Sequence, residues 1–290
     1  MRLSQKYVVI TPIRDEEAHI EKTISAVLSQ TVPPVEWVIV NDGSSDRTGS
    51  IIDQFATLHS WIHPVHRANR GFRSAGAGVI EAFDAGYHAM RTENWDYIVK
   101  LDGDLSFDRN YFEKCFDYFN EAQELGIGGG AIYNLVNGVP SLERHPKFHV
   151  RGATKIYRRA CWDAIGGLIM APGWDTLDEV KANMLGWRSR TFSDLKVVHY
   201  RYTGAADGQW SSFVKYGRAN YISGYHPLFM LLKCLKRTVQ HPIVLGALGL
   251  FYGYMSGYFK RIPRVDDRAL IAYLRKQQLN KIFQRKTIWE

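Results

Sequence analysis

Cysteine is scarce in this 290-residue chain: there are three, Cys115, Cys161 and Cys234, far apart and outside any Cys-x-x-Cys spacing. An odd, dispersed set excludes a disulfide framework and a cysteine-built zinc site, and it suits free thiols in a reducing compartment. Internal repeats and low-complexity tracts are also missing, which excludes repeat arrays and disordered chains. The opening MRLSQKYVVITPIRDEE has an apolar run of only about five residues before acidic residues follow, so no signal peptide is expected there. The segment 11–17, TPIRDEE, contains no glycine, so the Gly-rich phosphate loop usual in nucleotidyltransferases is absent.

The residues that are present can build a sizeable core. Hydrophobic residues make up 46% of the chain and aromatics 13%, which fits one large α/β domain, alone or with an appended C-terminal segment. Lys and Arg exceed Asp and Glu by 37 to 29, a formal charge of +8, and much of the excess follows residue 180. Such a surface attracts diphosphates, acidic phospholipid and nucleic acid alike. No nucleic-acid recognition motif accompanies it, so no nucleic-acid partner is expected.

Two short runs, YVVIT at 7–11 and WVIV at 37–40, read as buried parallel strands. Between them Ile20, Ile24, Val27 and Leu28 recur at helical spacing, and a second helix is expected over 47–58 after the capping residues Ser44-Ser45-Asp46. A helix over 74–91 and the strand YIVKL at 97–101 continue the alternation, which predicts a mostly parallel sheet flanked by helices. Further on, a strand at GGAIYNLV, helices around 158–165 and 176–185 and a strand near LKVVHY are expected. In parallel sheets ligands sit beyond the carboxyl ends of the strands, where 11–17, 41–48 and 102–104 all fall.

Asp102-Gly103-Asp104, directly after an apolar strand, puts two carboxylates on a short turn, both able to reach a hard cation such as Mg2+ or Mn2+. A purely conformational turn has the same composition. Asn41-Asp42-Gly43-Ser44-Ser45-Asp46 is a turn before a capped helix, and its carboxylate could also accept a bond from a base N–H.

Four stretches, Thr11-Pro12-Ile13-Arg14-Asp15-Glu16-Glu17, Val40 to Thr48, Asn69-Arg70-Gly71 and Leu101-Asp102-Gly103-Asp104, resemble in this order the motifs of family 2 glycosyltransferases. The resemblance covers roughly residues 5–200. It implies the Rossmann-like GT-A fold, a nucleoside-diphosphate sugar donor (UDP-sugar favoured) and an inverting hexosyl- or N-acetylhexosaminyl-transferase of polysaccharide or glycolipid biosynthesis. It places Thr11, Pro12, Arg14 and Glu16 against the nucleotide, Asp42 at the base, Gly71 beside it, Asp102 at the ribose, and Asp102 and Asp104 at the metal. After Asn-x-Gly the family usually ends in Ala-Arg-Asn, whereas this chain reads Ser74-Ala75-Gly76-Ala77, leaving Arg73 as the substitute. The family's base comes from a Glu-Asp pair about eleven residues before a glycine. Counting back from Gly186 gives Asp175, with Trp174 in place of the glutamate and Asp178 as the rival base; the helix-capping role stays open for either. His199 falls where some GT-A enzymes carry a third metal ligand, and Gln209-Trp210 replaces the Gln-x-x-Arg-Trp of polymerising members, which implies single transfers.

Residues 1–210 are thus expected to form the transferase domain and 211–290 a helical, membrane-associating segment. The stretch 241–259 has no Asp, Glu, Lys or Arg and is flanked by Lys236-Arg237 and Lys260-Arg261. Its glycines and interfacial aromatics predict an interfacial or re-entrant anchor rather than a span, set on the anionic cytoplasmic face of the plasma (inner) membrane. A glycan or lipid-linked acceptor follows from that placement. The competing classes are a nucleotidyltransferase of related fold and a non-enzymatic membrane-surface module, in which Asp42, Asp102, Asp104 and Asp175 would be idle.

Overall fold

The computed structural model describes residues 5–71, 77–136, 138–201, 208–240 and 242–289. The β-branched runs become β1 (Tyr7–Ile13), β2 (Glu36–Asn41), β3 (Ile62–His66) and β4 (Tyr97–Leu101), all parallel neighbours in the order β3-β2-β1-β4. α1 (Ile20–Leu28), α2 (Thr48–Leu58) and α3 (Ala77–Ala89) make the crossovers. β5 (Leu105–Phe107) and α4 (Tyr111–Glu121) follow, then β6 (Leu125–Val136), β7 (Val139–Leu142), β8 (Thr154–Arg158), α5 (Arg159–Ile165), α6 (Trp174–Met184) and β9 (Arg188–His199).

The expectation of a mostly parallel sheet needs correction. β8 runs antiparallel to β4 and β6, β5 antiparallel to β9, and β7 pairs antiparallel with β6, so the curled sheet β3-β2-β1-β4-β8-β6-β9-β5 is mixed. The reason is local: among the described residues no helical crossover separates β6 from β7 or β7 from β8.

Strand parity divides the core into two layers. Tyr7, Val9 and Ile13 pack with Ile24 of α1, Ile52 of α2 and Phe116 of α4, whereas Val8 and Ile10 pack with Phe83 of α3 and Trp162 of α5. α7 (Gln209–Ile222), α8 (Pro227–Arg237), α9 (Leu245–Phe259) and α10 (Arg268–Ile282) form a third apolar cluster that includes Leu177 and Val180 of α6. The glycines of 241–259 serve this packing: a Cβ at Gly253 would lie 2.1 Å from the Val214 carbonyl, so α9 rests directly on α7. Among the described residues no helix is long and apolar enough to cross a membrane.

Candidate active site

The strand ends deliver the site. β4 runs straight into Asp102-Gly103-Asp104, and Gly103 is required there because a Cβ would come within 2.4 Å of the Ile13 side chain. β9 ends at His199. The turn and this strand end bring Asp102, Asp104 and His199 together, with one ligand atom from each within 4.8 Å of the others. His199 Nε2 lies 3.1 Å from an Asp104 oxygen, while Nδ1 meets Asn134 Oδ1 at 3.2 Å. Burial lowers the His199 pKa, but the two aspartates outweigh it and hold the ring above its ordinary value. Burial pushes the Asp102 carboxyl up, against the opposing pull of Lys100, whose ammonium contacts Asp102. The two carboxylates suit a hard cation such as Mg2+ or Mn2+, and the imidazole nitrogen suits Mn2+ better than Mg2+, so these residues fit a divalent ion.

A cleft of ≈ 180 Å³ joins Asp102 and His199 of this group to Asp175 and is also lined by Lys100, Glu143, Arg151 and Trp174. Asp175 stands in the first turn of α6, which starts a residue or two earlier than its periodicity suggests, and its side chain is 25% exposed. Burial works against its charge, but His149, Lys155, Arg151 and Lys100 prevail and hold the carboxyl below the usual range. Arg151 Nη1 is 3.5 Å away and His149 Nε2 4.0 Å.

Asp178 does not reach this cleft. Three residues further along α6 it is wholly buried: Lys155 Nζ donates to both its oxygens at 2.9 Å, Tyr157 donates to one, and burial raises its pKa to about 6. Lys155 also pairs with Glu179 and donates to the Asp175 carbonyl, so Asp178 belongs to the floor that carries Asp175. The rival reading of Asp178 as the base is therefore corrected to a structural one.

The loops that the resemblance sets against the nucleotide are laced together. Glu16 N donates to Thr48 Oγ1 at 2.8 Å, Ser45 N to Asp15 Oδ1 at 2.8 Å and Arg47 N to Glu17 at 3.0 Å. Asp42 accepts from Arg67 at 2.7 Å and from Arg70, which also bonds Glu81. Arg14 donates to Asn69, Gly71 N donates to the same Asn69 oxygen, and Pro12 is half-buried nearby at the end of β1. Thr11 needs correcting: it is buried, and its hydroxyl accepts from Trp37 Nε1 at 2.8 Å, so the side chain faces the core. Arg73 lies outside the described residues. Sequence reasoning passed over Arg201, which bonds Glu16 at 2.9 Å, and the cations Lys100, Arg151 and Lys155. A lysine inside each of the apolar strands YIVKL and TKIYR was the available signal.

Strand-end carboxylates and a histidine face a carboxylate on a separate helix, and solved structures of GT-A glycosyltransferases share the fold. A mannosyltransferase of Pyrobaculum calidifontis, solved with GDP-Man and Mn2+, superposes with TM-score 0.58 at 15% identity over 98% of this chain and 83% of its own. S. aureus TarS 1–349 with UDP-GlcNAc gives 0.56 at 16% identity over 93% and 80%. The chain belongs to glycosyl transferase family 2, whose profile matches residues 8–170. Glycosyltransferase GlyA of Streptococcus pneumoniae is 26% identical over 140 residues, 48% of this chain and 19% of GlyA. EpsJ of Bacillus subtilis, described as an uncharacterized glycosyltransferase, is 32% identical over 125 residues, 43% of this chain and 33% of EpsJ. The chain thus spans 33% or less of the length of these two relatives.

Proposed function

We propose that this glycosyltransferase is inverting, metal-dependent and non-processive, and that it moves a hexosyl or N-acetylhexosaminyl group from a nucleoside-diphosphate sugar, a UDP-sugar first, to a hydroxyl of a glycan or lipid-linked acceptor. Residues 1–210 carry the chemistry, and 211–290 hold the enzyme at the cytoplasmic face of the plasma (inner) membrane. The observation that carries the reading is one cleft lined by Asp102, His199 and an ionised, partly exposed Asp175, with Asp104 buried against His199.

In this reading Asp175 takes the proton of the acceptor hydroxyl. The oxygen attacks the anomeric carbon from the face opposite the leaving group, and the electron pair of the breaking C–O bond leaves with the diphosphate. Asp102, Asp104 and His199 would hold Mg2+ or Mn2+, which when bound neutralises charge on the diphosphate. A carboxyl held low is ionised but weakly basic. The incoming diphosphate adds negative charge near Lys100 and Arg151, offsets their pull and raises the basicity of Asp175. Asp42, braced by Arg67 and Arg70, keeps free lone pairs for a base N–H.

The test is a thermal-shift panel of UDP, GDP, CDP and dTDP with and without Mn2+. A nucleotide at 100 times its dissociation constant should stabilise by about 2.7 kcal/mol. A metal-dependent shift lost in Asp102→Ala supports the reading and names the donor class; no shift with any nucleotide sinks it.

A further inference from the structure

The α8–α9 hairpin leaves a large apolar surface uncovered. On α8, Leu228, Leu231, Leu232 and Leu235 are exposed at helical spacing, opposite the buried Met230 and Cys234. The connection to α9 exposes Val239 (80%) and Ile243 (67%). α9 turns Gly246, Gly249, Gly253 and Gly257 toward α7, and exposes Leu245, Leu248, Phe251 and Tyr252 elsewhere on its surface. Singly exposed apolar residues are ordinary, but here ten of them fall on two packed helices and the connection between them.

The charge around this surface has one sign. From residue 208 to 265 there is no Asp or Glu, while eight Lys and Arg occur, at 215, 218, 233, 236, 237, 260, 261 and 264. Lys233 and Lys236 are exposed on α8 itself, and Lys260 and Arg261 are exposed just after α9. A second copy of the chain would bring the same cations against each other, which disfavours self-association through this face. An anionic lipid surface meets both features, apolar and cationic. With 15 residues at about 1.5 Å rise, α9 is roughly 22 Å long, short of the hydrocarbon thickness of about 30 Å.

We propose that the outer face of α8 and α9, with its connecting tip, is a monotopic docking surface for anionic phospholipid, entering the interface without crossing it. The inference deepens the proposed function, since it gives the lipid-linked acceptor its setting, and its physical basis is independent of the donor site. Leu250 and Tyr254 of α9 belong to the same apolar cluster as Leu177 and Val180 of α6, the helix whose first turn bears Asp175.

The test is co-sedimentation of the full chain with vesicles of phosphatidylcholine alone, or of phosphatidylcholine and phosphatidylglycerol in equal parts. Sedimentation is expected with the mixed vesicles and should fade as salt rises. Leu231→Glu/Leu235→Glu should lower vesicle affinity at least tenfold, and Lys236→Gln/Lys260→Gln should lower it about fivefold per cation removed. All four side chains are exposed, so the melting temperature and the metal-dependent nucleotide shift should stay unchanged in both variants, which keeps this result separate from failure of the transferase reading. Equal binding to both vesicle types, binding to neither, or a dimer that the leucine variant abolishes would each overturn the proposal.

Discussion

His199 Nδ1 lies 3.2 Å from Asn134 Oδ1, and this contact decides how the ring is used. The amide is oriented independently, because Asn134 Nδ2 donates to Glu143 at 3.1 Å. Its oxygen can only accept, so Nδ1 carries a proton and Nε2 is the nitrogen aimed at Asp104. Asn134→Ala should therefore raise the Mn2+ concentration needed for half-maximal nucleotide-dependent stabilisation by about 10–100-fold, and His199→Ala should abolish the Mn2+ response. An unchanged Mn2+ titration in Asn134→Ala would show that the ring is oriented by something else.

Asp175 and Asp178 lie three residues apart on one helix, yet their substitutions should fail in opposite ways. Asp175→Asn should cut kcat by about 10²–10⁴ while donor KM holds, with a loss of stability smaller than that of Asp178→Asn. Asp178→Asn removes a buried partner of Lys155 and should cost about 3 kcal/mol of stability, read by denaturant unfolding. A stably folded Asp178→Asn with collapsed kcat would return the base role to Asp178.

These two residues also mark where sequence reasoning stopped. The donor loops were legible because β-branched runs, turn residues and strand-end position are local signals, and β1, β2 and β4 formed where expected. Thr11 was misplaced because the resemblance names a position and not a face: with Tyr7, Val9 and Ile13 on the core side, strand parity puts Thr11 there too. The charges that tune Asp175 come from 149, 151 and 155, brought to α6 by β8 and the segment just before it as β8 runs antiparallel beside β4, a pairing with no local sequence signature.

His149 couples that network to pH. Its Nδ1 meets the buried Glu179 at 2.9 Å; burial lowers its pKa, but Glu179 and Asp175 reverse this and hold it above 6.5. A raised folded-state pKa gives stability that is fully present below the unfolded value and is lost as pH rises through the folded value. The melting temperature of the native chain relative to His149→Gln should accordingly be highest at pH 6 and shrink steadily toward pH 9. A difference that is flat with pH would show that the ring is neutral throughout.

Gly43 offers the sharpest test of the loop that braces Asp42. It holds φ +71°, and a Cβ there would lie 2.5 Å from the Cα of Asn69. Asn69 Oδ1 in turn accepts from Arg14 at 2.9 Å and from Gly71 N at 2.8 Å. Gly43→Ala thus adds to the left-handed penalty of about 1–2 kcal/mol a collision that pushes Asn69 away and carries Arg67 and Arg70 off Asp42. Gly166→Ala is the matched control, with φ +73° but nothing within 4 Å of the added carbon and a place away from the donor loops. Unfolding and nucleotide titrations should show a backbone penalty alone in Gly166→Ala, and in Gly43→Ala a larger loss of stability with at least tenfold weaker nucleotide binding. Equal losses in the two variants would mean that the close approach of Asn69 contributes nothing to the donor site.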